Sequence, residues 1–160
     1  MLASYDLLIP LLIALHVVVV VLWIGGVAFV TINIFPILMR MEDSLEKVRY
    51  FQAVENRFAR QARLYALIAG ITGAGILFFE NGWSGILSKR GLGIILMILA
   101  WLVYVFILTF EKGIFKVLFS DKVQDVSRIF FKMNIFHWFI LTISFLAIFA
   151  GVYFGHGGTF

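Results

Sequence analysis

Three histidines, His16, His137 and His156, are the only imidazoles in this 160-residue sequence, and there is no cysteine. Without Cys there are no disulfides, thiolate metal sites, iron–sulfur ligands or covalent c-type haem attachments. His, Met and carboxylates remain as the plausible metal ligands. His16 and His137 fall inside long uncharged runs. An ionisable side chain in such a run is costly, so its first reading is a functional residue facing the interior of a helix bundle. The competing reading is an imidazole that only hydrogen-bonds a nearby carbonyl or hydroxyl.

The neighbours of His16 sharpen the question. His16 and Trp23 lie seven residues apart and share a helix face, and the Gly25-Gly26 pair follows. Paired glycines admit a flat macrocycle or, equally well, another helix backbone. Ala62, Ala66, Gly70 and Ala74 form a small-residue seam that suits a close helix contact, within the protomer or across a homodimer, or the wall of a haem pocket. Arg57, Arg60 and Arg63 repeat at three-residue spacing. Their guanidinium groups suit haem propionates or, more simply, lipid phosphates. At 1.5 Å per residue His16 lies about 13 Å in from Leu7, and His137 about 6–9 Å in from the opposite boundary near Lys132. Across a hydrocarbon core of about 30 Å the two differ in depth by roughly 8 Å, awkward but feasible for one bis-His iron if the helices tilt. Met97, about 8–9 Å into its own run, matches the depth of His16 better and is the alternative second ligand. His156 sits in a Gly-His-Gly-Gly tail, where it is solvated or ligates a second site.

These residues need a scaffold, and composition names it. Hydrophobic residues make up 62% of the chain and charged ones 14%, against roughly 45–50% and about 25% in soluble domains. Four uncharged runs predict four transmembrane spans, at about 7–39, 62–79, 91–110 and 133–154, in one domain. The first is too long for one perpendicular crossing, so it tilts or projects, with Pro36 kinking its end. Met1 to Asp6 carries no Lys or Arg, so a secretory signal peptide is not expected. Basic residues crowd the segments 40–63 and 112–132, which places both as helical loops in the cytoplasm and both termini outside. The net charge of +4 is therefore a topology signal, and no nucleic-acid module accompanies it. Glu42 to Arg63, free of Gly and Pro, predicts a helix that lengthens span two. Lys112 to Lys132 is amphipathic and predicts a helix lying on the membrane interface.

The pattern Leu15-His16, six residues, Trp23-Ile24-Gly25-Gly26 and then Phe35-Pro36 resembles the first span of the CopD-like and HemJ-like small membrane proteins. Phe58-Ala59-Arg60-Gln61-Ala62-Arg63-Leu64-Tyr65, followed by Gly70 and Gly73, is similar to the start of their second span. The resemblance covers the first half of the chain by motif and the second half by hydropathy. It implies a bacterial inner-membrane protein. The HemJ-like branch implies b-type haem on a first-span His, matched by His16, and a part in protoporphyrinogen oxidation. That branch also carries an important third-span Lys, and Gly91 to Phe110 holds none. The CopD-like branch implies copper tolerance.

The expectation is thus an all-α four-helix membrane bundle that binds haem b through His16 and His137 or Met97. Trp23 and Gly26 would line the pocket and Arg60 or Arg63 would meet a propionate. The work done would be electron transfer, with a redox partner in the membrane, or a haem-linked oxidation. The alternatives are copper handling and a non-catalytic membrane subunit. Hydrolase and kinase chemistries have no acid–base pair, nucleophile triad or phosphate loop to rest on.

Overall fold

The computed structural model describes residues 2–88, 91–118 and 126–155, and every regular element among them is helical. Helix α1 (Leu2–Phe29) runs through a π turn (Val30–Ile34) into α2 (Phe35–Arg40). Then come α3 (Ser44–Phe79), a 3-10 turn at Gly82–Gly85, α4 (Gly91–Leu118) and α5 (Val126–Gly155). Four runs, Leu7–Arg40, Ser44–Phe79, Gly91–Glu111 and Val126–Gly155, are long and apolar enough to cross a membrane. The chain is an all-α four-helix membrane bundle.

Local sequence explains the breaks. Pro36 has no N–H to donate, and its ring crowds the carbonyl four residues back. The wide turn just before it absorbs that misfit, with Thr31 Oγ1 donating to Val27 O at 2.8 Å. Asp43 caps α3, its carboxylate accepting the backbone N–H groups of Leu45 at 2.7 Å and Glu46 at 2.9 Å. Those two bonds hold the Asp43 carboxyl below the usual carboxylate range. With no Gly or Pro before Gly70, α3 then continues unbroken for 36 residues. It ends beside Asn81, whose φ of 53° is a left-handed value that Asn tolerates better than most residues.

The closest helix pairings are α1 with α3 and α4 with α5. Because successive long helices alternate in direction, α1 starts and α5 finishes at one end, here termed the terminal end. The opposite end carries most of the charge and is termed the basic end. The 34 residues of Leu7–Arg40 and the 36 of α3 each extend about 50 Å at 1.5 Å per residue. A hydrocarbon layer is only about 30 Å thick, or about twenty residues. That count reaches Val27 from Leu7, Ala59 from Phe79 and Glu111 from Gly91. The three counts agree with the packing, since Gly26 rests on Phe58 and Arg63 pairs with Glu111. Beyond that level the bundle leaves the hydrocarbon.

The interior accordingly has two parts. Within the hydrocarbon, Val19, Trp23, Val27, Ala62, Ala66, Ala69, Tyr104 and Leu141 belong to one cluster. Beyond it, Val30, Ile34, Phe35, Leu38, Phe51 and Phe130 form another. This corrects the reading of segment 112–132 as a separate interfacial helix. Its described parts continue α4 and begin α5, and Ile129 and Phe130 are buried in the bundle; residues 119–125 lie outside the described residues.

Candidate functional site

His16 lies on α1 where that helix crosses α3. Its Nδ1 is 3.1 Å from Ala69 O and 2.9 Å from Thr72 Oγ1. A carbonyl oxygen only accepts, so Nδ1 must carry the proton. The Thr72 hydroxyl spends its own hydrogen on Ile68 O at 2.7 Å and is free to accept as well. Both partners therefore select the tautomer protonated on Nδ1, and Nε2 has no hydrogen-bond partner among the described residues. Gly73 allows the approach: a Cβ there would stand 3.2 Å from His16 Cε1. The ring is half-buried, and the deeply enclosed Thr72 holds it against α3.

The sequence reading had not paired His16 with Thr72, although the signal was present. Counting from Leu7 and from Phe79 puts the two at depths of about 13 Å and about 10 Å. Thr72 is also one of the few hydroxyls in the second uncharged run.

Trp23, two turns along α1, is buried against Tyr104 of α4, with ring centroids 4.7 Å apart and the planes edge to face. Tyr104 OH meets Ser144 Oγ of α5 at 2.9 Å, so Trp23, Tyr104 and Ser144 link three helices. Trp23 Nε1 is enclosed with no hydrogen-bond partner among the described residues. Gly26 does not receive a flat ligand; the ring of Phe58 fills the space a side chain would need there.

His137 is not brought to His16. Its ring packs on Phe35, centroids 4.7 Å apart, and Phe35 stands nineteen residues, about 28 Å, further along the same helical run. Two axial ligands must meet one iron, so this pair cannot share it. The eight-ångström depth difference expected from sequence placed the start of α5 too close to the bilayer middle. His137 Nδ1 is also enclosed without a partner among the described residues. Met97 keeps the depth assigned to it but turns toward α5, where a Cβ on Gly151 would lie 2.7 Å from its Sδ.

Of the arginines, Arg63 is committed to Glu111 of α4. Arg60 is exposed and turns back on its own helix, Nε donating to Asn56 O at 3.2 Å. Three of the four seam residues are used inside the protomer. Ala62 and Ala66 are buried, and a Cβ on Gly70 would sit 2.7 Å from Trp101 Cζ2, whose Nε1 donates to Ala66 O at 2.8 Å. The homodimer expectation rested on this seam and on the Gly25-Gly26 pair; of these, Ala74 and Gly25 stay exposed, with open space around Gly25. His156 lies outside the described residues. Among the described residues no three His, Cys, Asp or Glu side chains converge to hold a metal ion. Comparison with known protein families, curated proteins and solved structures yields no match.

Proposed function

We propose that this membrane bundle binds haem b, with His16 as an axial ligand, and serves electron transfer or a haem-linked oxidation. The observation that carries the reading is the fixed tautomer of His16. A ligating imidazole ordinarily donates its other N–H to a carbonyl or a similar acceptor, which orients the ring and raises the basicity of the ligating nitrogen. Ala69 O and the Thr72 hydroxyl provide that anchorage. An imidazole that merely hydrogen-bonds its neighbours would keep the same contacts, and the absorption spectrum separates the two readings.

Bound haem would supply one-electron chemistry. The chain's own contribution is to offer Nε2, fix the ring plane through Thr72 and Gly73, and exclude water with the surrounding apolar helices. The residues present support one axial ligand. His137 does not join it, and Met97 would have to turn away from Gly151. The copper alternative rests on less, because Cu(II) favours several nitrogen and oxygen donors and no such cluster converges among the described residues. The basic end faces the cytoplasm in this reading, on the positive-inside distribution of Lys and Arg.

Two experiments test these statements. The purified protein should show a Soret band, and His16→Ala should abolish or strongly weaken it while the helical circular dichroism persists. Thr72→Val, which removes one anchor of the ring, should shift the band without eliminating it. A His16→Ala protein with a full, unperturbed haem spectrum would defeat the assignment. For sidedness, in sealed right-side-out vesicles a single cysteine at Ser84 should be labelled from outside and one at Ser44 only from inside; the reverse pattern would overturn the orientation, and labelling of both from one face the four-span crossing.

A further inference from the structure

Toward the basic end, the end of α1, the π turn and the first half of α3 line an open groove of about 450 Å³ on the outer surface of the bundle. Its apolar lining comes from Gly26, Val30, Val54 and Phe58. Tyr50, Arg57 and Gln61 also line it and supply its polar groups. The close seat of Phe58 on Gly26 draws the two helices together at the head of this groove.

Its position is specific. Helix counting puts the hydrocarbon limit at Val27 on α1 and Ala59 on α3, so the groove straddles that limit. Gly26 and Phe58 are level with the last of the acyl chains, and Arg57 stands about 3 Å beyond, at headgroup depth. Arg57 is exposed and, among the described residues, has no carboxylate partner. Arg63 on the same helix is neutralised by Glu111, and Arg60 is turned back on Asn56. A free guanidinium beside a phenol and a carboxamide, above an apolar trough, matches a phosphate ester with a hydrocarbon tail.

We propose that this groove is a specific site for one anionic phospholipid, its phosphate on Arg57 and an acyl chain running past Phe58 and Gly26 between α1 and α3. The site is independent of haem binding at His16, which lies ten residues, about 15 Å, further into the membrane. General attraction of basic residues to an anionic leaflet would be shared by all exposed arginines at this end. A built site depends on Arg57 and on the trough.

Native mass spectrometry in a mild detergent distinguishes the two, using phosphatidylglycerol and phosphatidylcholine with identical acyl chains. The protein should retain one phosphatidylglycerol in preference to phosphatidylcholine. Arg57→Gln should lower that preference about fivefold, the equivalent of one basic residue near an anionic surface, and Arg60→Gln should leave it unchanged. Ala53→Trp, which fills the groove from an exposed position lining it, should block retention while the melting temperature is kept. Equal losses in Arg57→Gln and Arg60→Gln would overturn the proposal in favour of diffuse charge. So would wild-type retention by Ala53→Trp, or displacement of the lipid by inorganic phosphate, which would mark an anion site without need of a tail.

Discussion

The two halves of the interior are built by different rules, because they face different solvents. Inside the hydrocarbon the outward surface carries Leu64, Leu67, Ile71, Phe145 and Phe149, and on the inward side the alanines of α3 meet larger side chains of the other helices, with polar contacts between them. Trp101 donates to a backbone carbonyl of α3, Tyr104 meets Ser144, and His16 meets Ala69 and Thr72. Lipid gives helices no hydrophobic reason to associate, so close backbone approach and interhelical hydrogen bonds must hold them. Beyond the hydrocarbon the rule reverts to that of a soluble protein. Phe35, Leu38, Phe51 and Phe130 are fully enclosed, with Phe51 against Phe130 at 5.3 Å edge to face and against Phe35 at 5.7 Å. Even Lys47 is buried there, its amine 6.0 Å above the Phe130 ring. Water drives this part together through the apolar area it hides.

If that division is right, truncating a large apolar side chain should matter in one half and hardly at all on the lipid face of the other. Phe51→Ala should cost about 3–5 kcal/mol, whereas Leu67→Ala, facing lipid, should leave the melting temperature nearly unchanged. Thermal unfolding in the same detergent compares the two, and equal losses would erase the distinction. Adding bulk should reverse the ranking. A Cβ on Gly93 would meet the backbone of α5, 2.7 Å from Ala150 O and 3.0 Å from Gly151 Cα, neither of which can swing aside. Gly93→Ala should therefore cost about 1–3 kcal/mol and loosen α4 from α5, and the same melt reads it. The smallest effect belongs to the capped end of α3. The Asp43 carboxyl is held below its usual range by the N–H groups it accepts, so its contribution is present above the unfolded pKa of about 3.9 and fades as pH falls through the lower folded value. Asp43→Ala should thus melt slightly earlier at neutral pH, and the gap should close on acidification below about pH 4.

The spacing of charges was enough to find all four membrane-crossing helices, because one Arg or Glu ends an apolar run sharply. The unbroken α3 was equally legible in the lack of Gly and Pro between Glu42 and Arg63. Which way the residues face was not. Around α1 nearly every side chain is apolar, so its composition cannot tell the lipid face from the inner one, and the Phe58 ring in front of Gly26 had no signature. The seam on α3 shows why motif reading stopped short: Ala66 and Gly70 are small because Trp101 lies on them, a fact that involves a residue over thirty positions away. For His16 the sequence marked the residue, and the fold disclosed its anchors. For His137 the sequence marked an imidazole, but the length of the first helix carries its neighbour Phe35 far past the depth of His16.

The turn at Val30–Ile34 has a consequence for insertions and deletions. A π turn accommodates one residue more than an α turn, so the helices flanking it keep the angular phase of a helix one residue shorter. Removing one residue almost anywhere else in α1 would rotate all that follows by about 100°, pointing Phe35 and Leu38 toward solvent. Removed from within the turn, it would leave Trp23 above and Phe35 below on the same inward face, and only Pro36 would feel the tighter coil. The segment joining the lipid-facing and water-facing halves is thus where this helix tolerates a change of length without a change of register.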